Sequence, residues 1–324
     1  MLTFARLLLR VQFTFMAEML VKLGQATLRN PVVLAAGTCG VMGEIGDAID
    51  LASIGAITTK SITKDPRIGN EPVRIIDLPD GMINAIGLAN EGIGSFLEHQ
   101  AHKADALPTT VIGSVAGHTI EDYVEVASAM DGIEGIELVE INVSCPNTED
   151  GLEFGGSKER LSTLLNEIKQ VLSRSGMVVK LSVAAGDVRP LALCAIEHGA
   201  VALTLINTIP GLAINVETNE PLISRGIGGY SGREIHPVAV RVVREVYEDV
   251  AKDAGVPIIG TGGVMGWQDA AEFILAGASA VGIGTALFVN PAIALQVAKK
   301  LSSWVERQGC TSVTDLVGAM KSNQ

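Results

Sequence analysis

Aromatic residues are scarce. Phe, Trp and Tyr make up only 4% of a chain that is 48% hydrophobic, so its core must be built mainly from Val, Ile, Leu and Ala. Basic residues are outnumbered: 24 Lys and Arg face 36 Asp and Glu, a net charge of -12. Such a surface repels nucleic acid, which disfavours a role on DNA or RNA. An anionic ligand must then be held by local positive groups. Cysteine is limited to Cys39, Cys145, Cys194 and Cys310, with no C-x-x-C pair. That leaves no ready zinc or iron–sulfur site, and widely spaced thiols fit a reducing cytosol. The five histidines, His99, His102, His118, His198 and His236, show no H-E-x-x-H spacing, and no metal is expected. His99 and His102 share a polar helix face and read as solvated; none of the five is assigned a role. No Ser-His-Asp arrangement is legible.

Long hydrophobic runs are missing too. Met1–Met16 is apolar, but Arg6 and Arg10 interrupt it, and it is too short to span a bilayer. No small-residue cleavage site follows it, which argues against a signal peptide. Residues 1–18 read as a poorly ordered N-terminal extension, with a start at Met16 or Met19 or an amphipathic surface helix as the other readings. No composition break divides residues 19–324, which read as one domain.

Glycine is plentiful, with 36 residues, as many tight strand-to-helix turns require. Eight short apolar runs are candidate strands: Val32–Ala36, Ala56–Thr59, Thr110–Val115, Leu138–Val143, Met177–Leu181, Val201–Ile206, Pro257–Gly260 and Ala280–Ile283. They are continuous rather than alternating, which suits parallel strands buried on both faces. Helical patterns such as Asp187–Gly199, Glu234–Ala254 and Asp269–Ala276 lie between them. Alternating strand and helix, repeated eight times, predicts an α/β fold of the (β/α)8 TIM-barrel type. Thr119 and Asp122 form a capping box ahead of Glu121–Met130, Gly199 is a helix stop, and Pro291 stands early in the helix Pro291–Arg307. Two long connections, Lys64–Asn90 and Pro210–Gly232, carry turn signals and predict hairpin and loop insertions at the C-terminal face.

Chemistry-bearing groups gather where strands end. Asn142-Val143-Ser144-Cys145-Pro146-Asn147 follows the fourth run, placing two amides, a hydroxyl and a thiol at a barrel mouth. An amide donates and accepts together, and a thiol can serve as base or nucleophile once the thiolate is favoured. Lys60 and Lys180 close the second and fifth runs, and Asn207-Thr208 closes the sixth. Asn84 sits in the hairpin insertion, within reach of the mouth. Gly260-Thr261-Gly262-Gly263 and Gly282-Ile283-Gly284-Thr285 end the last two strands, where barrels often bind phosphate. Position 265 is Met, so the dinucleotide fingerprint is absent, and a mononucleotide phosphate fits better. Cys194 reads as a core filler, and Cys39 stays undecided.

From about Leu20 onward the chain resembles the class 1 dihydroorotate dehydrogenases. The resemblance rests on Thr59-Lys60-Ser61, Asn84-Ala85-Ile86-Gly87-Leu88, the Asn142–Asn147 segment, Lys180-Leu181-Ser182, Ile206-Asn207-Thr208, Gly228-Gly229-Tyr230-Ser231-Gly232, Gly262-Gly263 and Gly284-Thr285, in this order. It implies a cytoplasmic FMN-binding (β/α)8 barrel that oxidises dihydroorotate to orotate in pyrimidine (UMP) synthesis. Cysteine rather than serine as the base points to class 1. Cys145 is implied to take the C5 proton while a hydride leaves C6 for FMN. Lys60, Asn84, Ile86, Gly87, Leu88, Asn142, Asn147, Asn207 and Thr208 are implied to hold the substrate. Ala36, Lys60, Ser61, Ser114, Asn142, Lys180, Ile206, Gly232, Gly262, Gly263, Gly284 and Thr285 are implied to hold the cofactor. The loop with Asp150-Gly151 and Gly155-Gly156 is expected to act as a lid.

The overall likeness leans towards class 1B. That implies a partner subunit carrying FAD and an iron–sulfur cluster, electrons passing to NAD, and a homodimer core or heterotetramer. A fumarate-linked class 1A enzyme and a dihydropyrimidine dehydrogenase-like subunit acting on uracil or thymine share most of these residues and stay open. So do a flavin-free sugar-phosphate isomerase or lyase and a non-catalytic subunit. Three departures touch flavin contacts: Ser114 stands where Asn is usual, Ala36 lies near a position often held by Ser, and Val183-Ala184 replaces a common Pro-Asn pair.

Overall fold

Strands that are apolar on both faces need cover on both faces, and a parallel barrel wrapped in helices supplies it. The computed structural model describes residues 17–144 and 154–321. The eight expected runs form β1 (Val32–Leu34), β2 (Ala56–Thr58), β3 (Thr110–Val115), β4 (Ile136–Asn142), β5 (Gly176–Leu181), β6 (Ala202–Leu205), β7 (Ile258–Thr261) and β8 (Ala280–Ile283). They pair in sequence order into one closed barrel, and β8 returns to β1 with Val281 opposite Val32. Every pair is parallel.

Helices cover the outside. Ile120–Asp131 starts at the expected capping box, in which Thr119 and Asp122 satisfy each other's backbone N–H groups. Lys158–Val171 buries Leu161, Leu164, Leu165 and Ile168, the spacing of one helical face. Each such side chain contributes roughly 1.5–3 kcal/mol relative to exposure. Arg189–Glu197, His236–Val246, Trp267–Ala276 and Ile293–Arg307 follow β5, β6, β7 and β8. Gly199 stops its segment with φ +97°.

Three local expectations are corrected. The first strand ends at Leu34, which leaves Ala35 and Ala36 in the loop at the mouth. Pro291 precedes its helix, because the Asn290 side chain accepts from the Ala292 N–H and forms a turn before Ile293. The segment expected as one helix over Glu234–Ala254 passes through a π-turn at Tyr247–Ala251. The Tyr247 ring lies against Gly277, where a Cβ would come within 2.1 Å of it.

The N-terminal ends of the barrel strands are covered by a hairpin of Val21–Leu23 and Ala26–Leu28. Leu23 and Leu28 are fully buried. Gln25 Nε2 donates to the carbonyls of Glu137 (2.8 Å) and Arg174 (3.1 Å), beside the starts of β4 and β5.

The C-terminal ends carry the two predicted insertions. The first folds as the hairpin Ile75–Leu78 and Gly81–Asn84, and the second supplies Ile209–Leu212 and Ile227–Gly232. Together they make one antiparallel four-stranded sheet, with Asn84 opposite Gly229. This sheet has its own small core of Ile83, Ala85 and Ile223. Its exposed apolar residues include Ile75, Leu212 and Ile227. Among the described residues, no helix is long and apolar enough to cross a membrane.

Candidate active site

The barrel mouth and the inserted sheet enclose a cavity of about 980 Å³, near the upper end of the range for small-molecule sites. Its walls come from every strand end that the sequence singled out. Lys60, Ser61, Asn84, Ile86, Gly87, Leu88, Asn142, Lys180, Ile206, Asn207 and Thr208 all line it. Ala36, Gly232, Gly262, Gly263, Gly284 and Thr285 do so as well. Ser114 does not: it is fully buried one layer behind Ser61, with the two hydroxyl oxygens 2.8 Å apart. Cys145 and Asn147 lie outside the described residues, as do Asp150 and Gly151. Ser144, the last residue described before Cys145, lines the cavity.

The amides form an ordered cluster. Asn207 Nδ2 donates to Asn142 Oδ1 at 3.1 Å and to Ser144 Oγ at 2.5 Å, while its Oδ1 accepts from the Thr208 N–H at 2.8 Å. Asn142 thus has its oxygen engaged and its NH₂ available as a donor to a ligand carbonyl. The Tyr123 hydroxyl donates to the Asn142 carbonyl at 2.6 Å and fixes the strand end. Its ring meets Phe154 edge-on at 5.4 Å. On the roof, Asn84 Nδ2 donates to the Gly229 carbonyl at 3.3 Å.

The glycine loops face these amides. Gly263 has φ +67°, and a Cβ there would lie 2.6 Å from His236 Cβ and 2.9 Å from the carbonyls of Gly232 and Arg233. Only glycine fits so close an approach. His236 pins the loop, with Nδ1 2.9 Å from the Gly262 carbonyl and Nε2 3.2 Å from Glu272. Thr285 Oγ1 donates to Ser231 Oγ at 2.8 Å and ties the β8 loop to the roof.

Two polar groups in the wall lack protein partners. Lys180 is buried at 7% exposure, and among the described residues its ammonium makes no hydrogen bond or ion pair. Thr261 Oγ1 is, among the described residues, the one side-chain oxygen or nitrogen sealed from solvent without a hydrogen bond, and it lies against Gly282, where a Cβ would come within 2.2 Å of it. An unpaired ammonium on a largely buried side chain is costly, so the placement of Lys180 in the cavity wall reads as provision for a ligand.

Cys39 and Cys194 do not compete for the chemistry. Cys39 is buried and donates to the Thr58 carbonyl at 3.2 Å. Burial first, and then the nearby Glu44 charge, push its thiol up to about 12. Cys194 is a core residue, as expected, and burial raises its thiol too. Neither offers a thiolate near neutral pH.

The family follows from the sequence as a whole. A profile described as dihydroorotate dehydrogenase matches residues 18–305. The chain belongs to the dihydroorotate dehydrogenase family. Among its relatives is the dihydroorotate dehydrogenase B (NAD(+)), catalytic subunit, of Bacteroides thetaiotaomicron, 40% identical over 94% of this chain and all of that protein. The protein of the same description from Desulforudis audaxviator is 42% identical over 90% of this chain and 94% of its own length. Among solved structures, DHODH from Eimeria tenella in complex with ferulenol superposes with a TM-score of 0.77 at 22% identity, covering 93% of this chain and 88% of that one, and it supports the fold.

In this dihydroorotate dehydrogenase family member the cavity also contains residues that the motif reading passed over. Arg67, Asn70, His118 and Arg225 line it. Arg67 is hydrogen-bonded to His118 Nε2 and donates from Nε to the Gly87 carbonyl at 3.4 Å. Asn70 Nδ2 donates to the Ala85 carbonyl at 2.9 Å and braces the Asn84–Leu88 segment from behind. Pro66-Arg67-Ile68-Gly69-Asn70 carried a signal in its Gly69, which adopts φ +85°. A loop with a fixed left-handed turn and flanking polar residues is a candidate wall.

Proposed function

We propose that the chain is the catalytic subunit of an NAD-linked dihydroorotate dehydrogenase, converting dihydroorotate to orotate with FMN as its resident cofactor. The observation that carries this reading is the unpartnered ammonium of the largely buried Lys180, in one cavity with the glycine loops after β7 and β8. The fit to FMN rests on the chain's own atoms. Glycine loops at 262–263 and 284–285 offer N–H groups to a phosphate. At Gly284 an added Cβ would meet nothing nearer than 3.7 Å, so the wall is open there. The Lys180 ammonium awaits an acceptor. When bound, FMN supplies a two-electron acceptor.

The protein groups do the rest. Dihydroorotate carries a carboxylate, and Lys60 supplies the positive charge that an acidic protein must provide locally. The NH₂ groups of Asn142 and Asn84 read the carbonyl edges of the ring, and Asn207 holds Asn142 in that orientation. Cys145 accepts the proton from C5, and Lys180 offsets negative charge as electrons leave the substrate. The roof sheet excludes water. Electrons leave through a second subunit carrying FAD and an iron–sulfur cluster, in keeping with the catalytic-subunit description of the relatives at about 40% identity.

An anaerobic absorption spectrum tests this directly. Purified protein is expected to be yellow, to bleach on adding dihydroorotate, and to keep its flavin but bleach far more slowly as Cys145→Ala. A colourless protein that takes up no FMN refutes the cofactor. Bleaching by dihydrouracil but not by dihydroorotate assigns the site to the other pyrimidine chemistry.

A further inference from the structure

Asp131, Glu140 and Lys180 are the buried Asp, Glu, Lys and Arg side chains among the described residues. Asp131 is satisfied near the start of β5 by the N–H groups of Ser173, Arg174 and Ser175. The other two sit on adjacent strands inside the barrel. Asn142 stands opposite Lys180 in the β4–β5 register, and Glu140 lies two residues earlier on the same face of β4. Thr204, the β6 register partner of Lys180, donates to Glu140 Oε2 at 2.8 Å. Ser114, the β3 register partner of Glu140, donates to Oε1 at 3.5 Å. With the Ser114 proton directed at Glu140, Ser61 becomes the donor of the 2.8 Å Ser61–Ser114 pair.

A chain of hydroxyl groups therefore runs from the cavity wall at Ser61 to one buried carboxyl group, with every proton turned towards it. Packing does not explain this. Barrel layers are normally filled with branched apolar side chains, and a buried carboxyl is costly beside them. What the arrangement provides is a carboxyl acceptor held beneath the cavity, two residues before the β4 register partner of the unpartnered Lys180.

We infer that Glu140 is a positioning residue for the redox step: its charge lowers the reduction potential of the flavin held above it, and its hydroxyl chain presents the Ser61 oxygen to the cavity as an acceptor. The inference rests on the FMN reading of the cavity. The test is the flavin potential of the FMN-loaded Glu140→Gln protein, titrated against a reference dye. Removing a negative charge favours the reduced flavin. The expected change is about tenfold in the reduced-to-oxidised ratio at fixed potential, which is ~30 mV for a two-electron couple. If Glu140→Gln does not fold, Glu140→Leu with Thr204→Val removes charge and partner together, an exchange that cores tolerate well. The same upward shift is expected there. A purely structural role would change thermal stability and leave the potential where it was, and that result overturns the inference while the yellow wild-type protein upholds the cofactor. A wild-type protein that binds no FMN overturns both.

Discussion

Gly284→Ala separates a glycine kept for a ligand from one kept for the fold. At Gly284 the added methyl group would stand 3.7 Å from Ala35 Cβ and 3.8 Å from Thr38 Cγ2, ordinary contacts, and the backbone is outside the left-handed region. Stability of the cofactor-free protein should therefore move by no more than about 1 kcal/mol, and upward if at all, because alanine restricts the unfolded chain. The same methyl group narrows the wall where the phosphate is proposed to sit. Forcing an extra methylene into a filled site costs about 1–3 kcal/mol, which corresponds to a roughly fivefold to hundredfold weaker FMN complex. Gly263→Ala is the control. There φ is +67° and the methyl would clash at 2.6 Å with His236 Cβ. Left-handed strain of ~1–2 kcal/mol adds to overpacking of ~1–3 kcal/mol, and both fall on the fold itself. The assays are urea unfolding of the apoprotein and quenching of FMN fluorescence on titration. Unchanged FMN affinity in Gly284→Ala, or a loss of apoprotein stability matching that of Gly263→Ala, refutes the reasoning.

Three further outcomes are expected. Burial raises the Asp131 pKa, but the N–H groups of Ser175, Ser173 and Arg174 and the Ser173 hydroxyl outweigh it and hold the group at about 2. A lowered folded-state pKa stabilises the fold above the unfolded value near 4, and that stabilisation is lost as pH falls towards 2; it is worth roughly 2 kcal/mol at most, less after solvent screening. Asp131→Asn should flatten this acid limb in urea midpoints measured across that window. Iodoacetamide at pH 8 should spare Cys39 and Cys194 in the folded protein while Cys145 reacts and orotate protects it, as read by peptide mass spectrometry. Tyr123→Phe removes the 2.6 Å bond to the Asn142 carbonyl but keeps the Phe154 contact, and should cost ~1 kcal/mol in unfolding experiments while lowering turnover.

The barrel was legible because its strands announce themselves locally. Continuous Val- and Ile-rich runs such as Val32–Leu34 and Ala280–Ile283 fit no exposed element, and the Thr119–Asp122 capping box lies within four residues. The strand-end residues were legible for the same reason: Asn142, Lys180 and Asn207 each follow an apolar run directly. The rest depended on contacts across the fold. Arg67 is held at the wall by the Gly87 carbonyl and by His118, a residue 51 positions away that sits just before a helix. Glu140 was hidden by its company, since Leu138, Val139, Ile141 and Val143 make the run read as wholly apolar. Its partners Ser114 and Thr204 come from two other strands.

The sheet over the mouth has a consequence for anyone wishing to transplant this pocket. Its central strands, Gly81–Asn84 and Ile227–Gly232, belong to excursions from opposite sides of the barrel. Grafting one excursion alone onto another scaffold would strand a bare row of backbone donors and acceptors at its border, open to pairing with a foreign chain. The two have to travel as a unit, and a swap of either by itself should yield aggregates rather than altered selectivity.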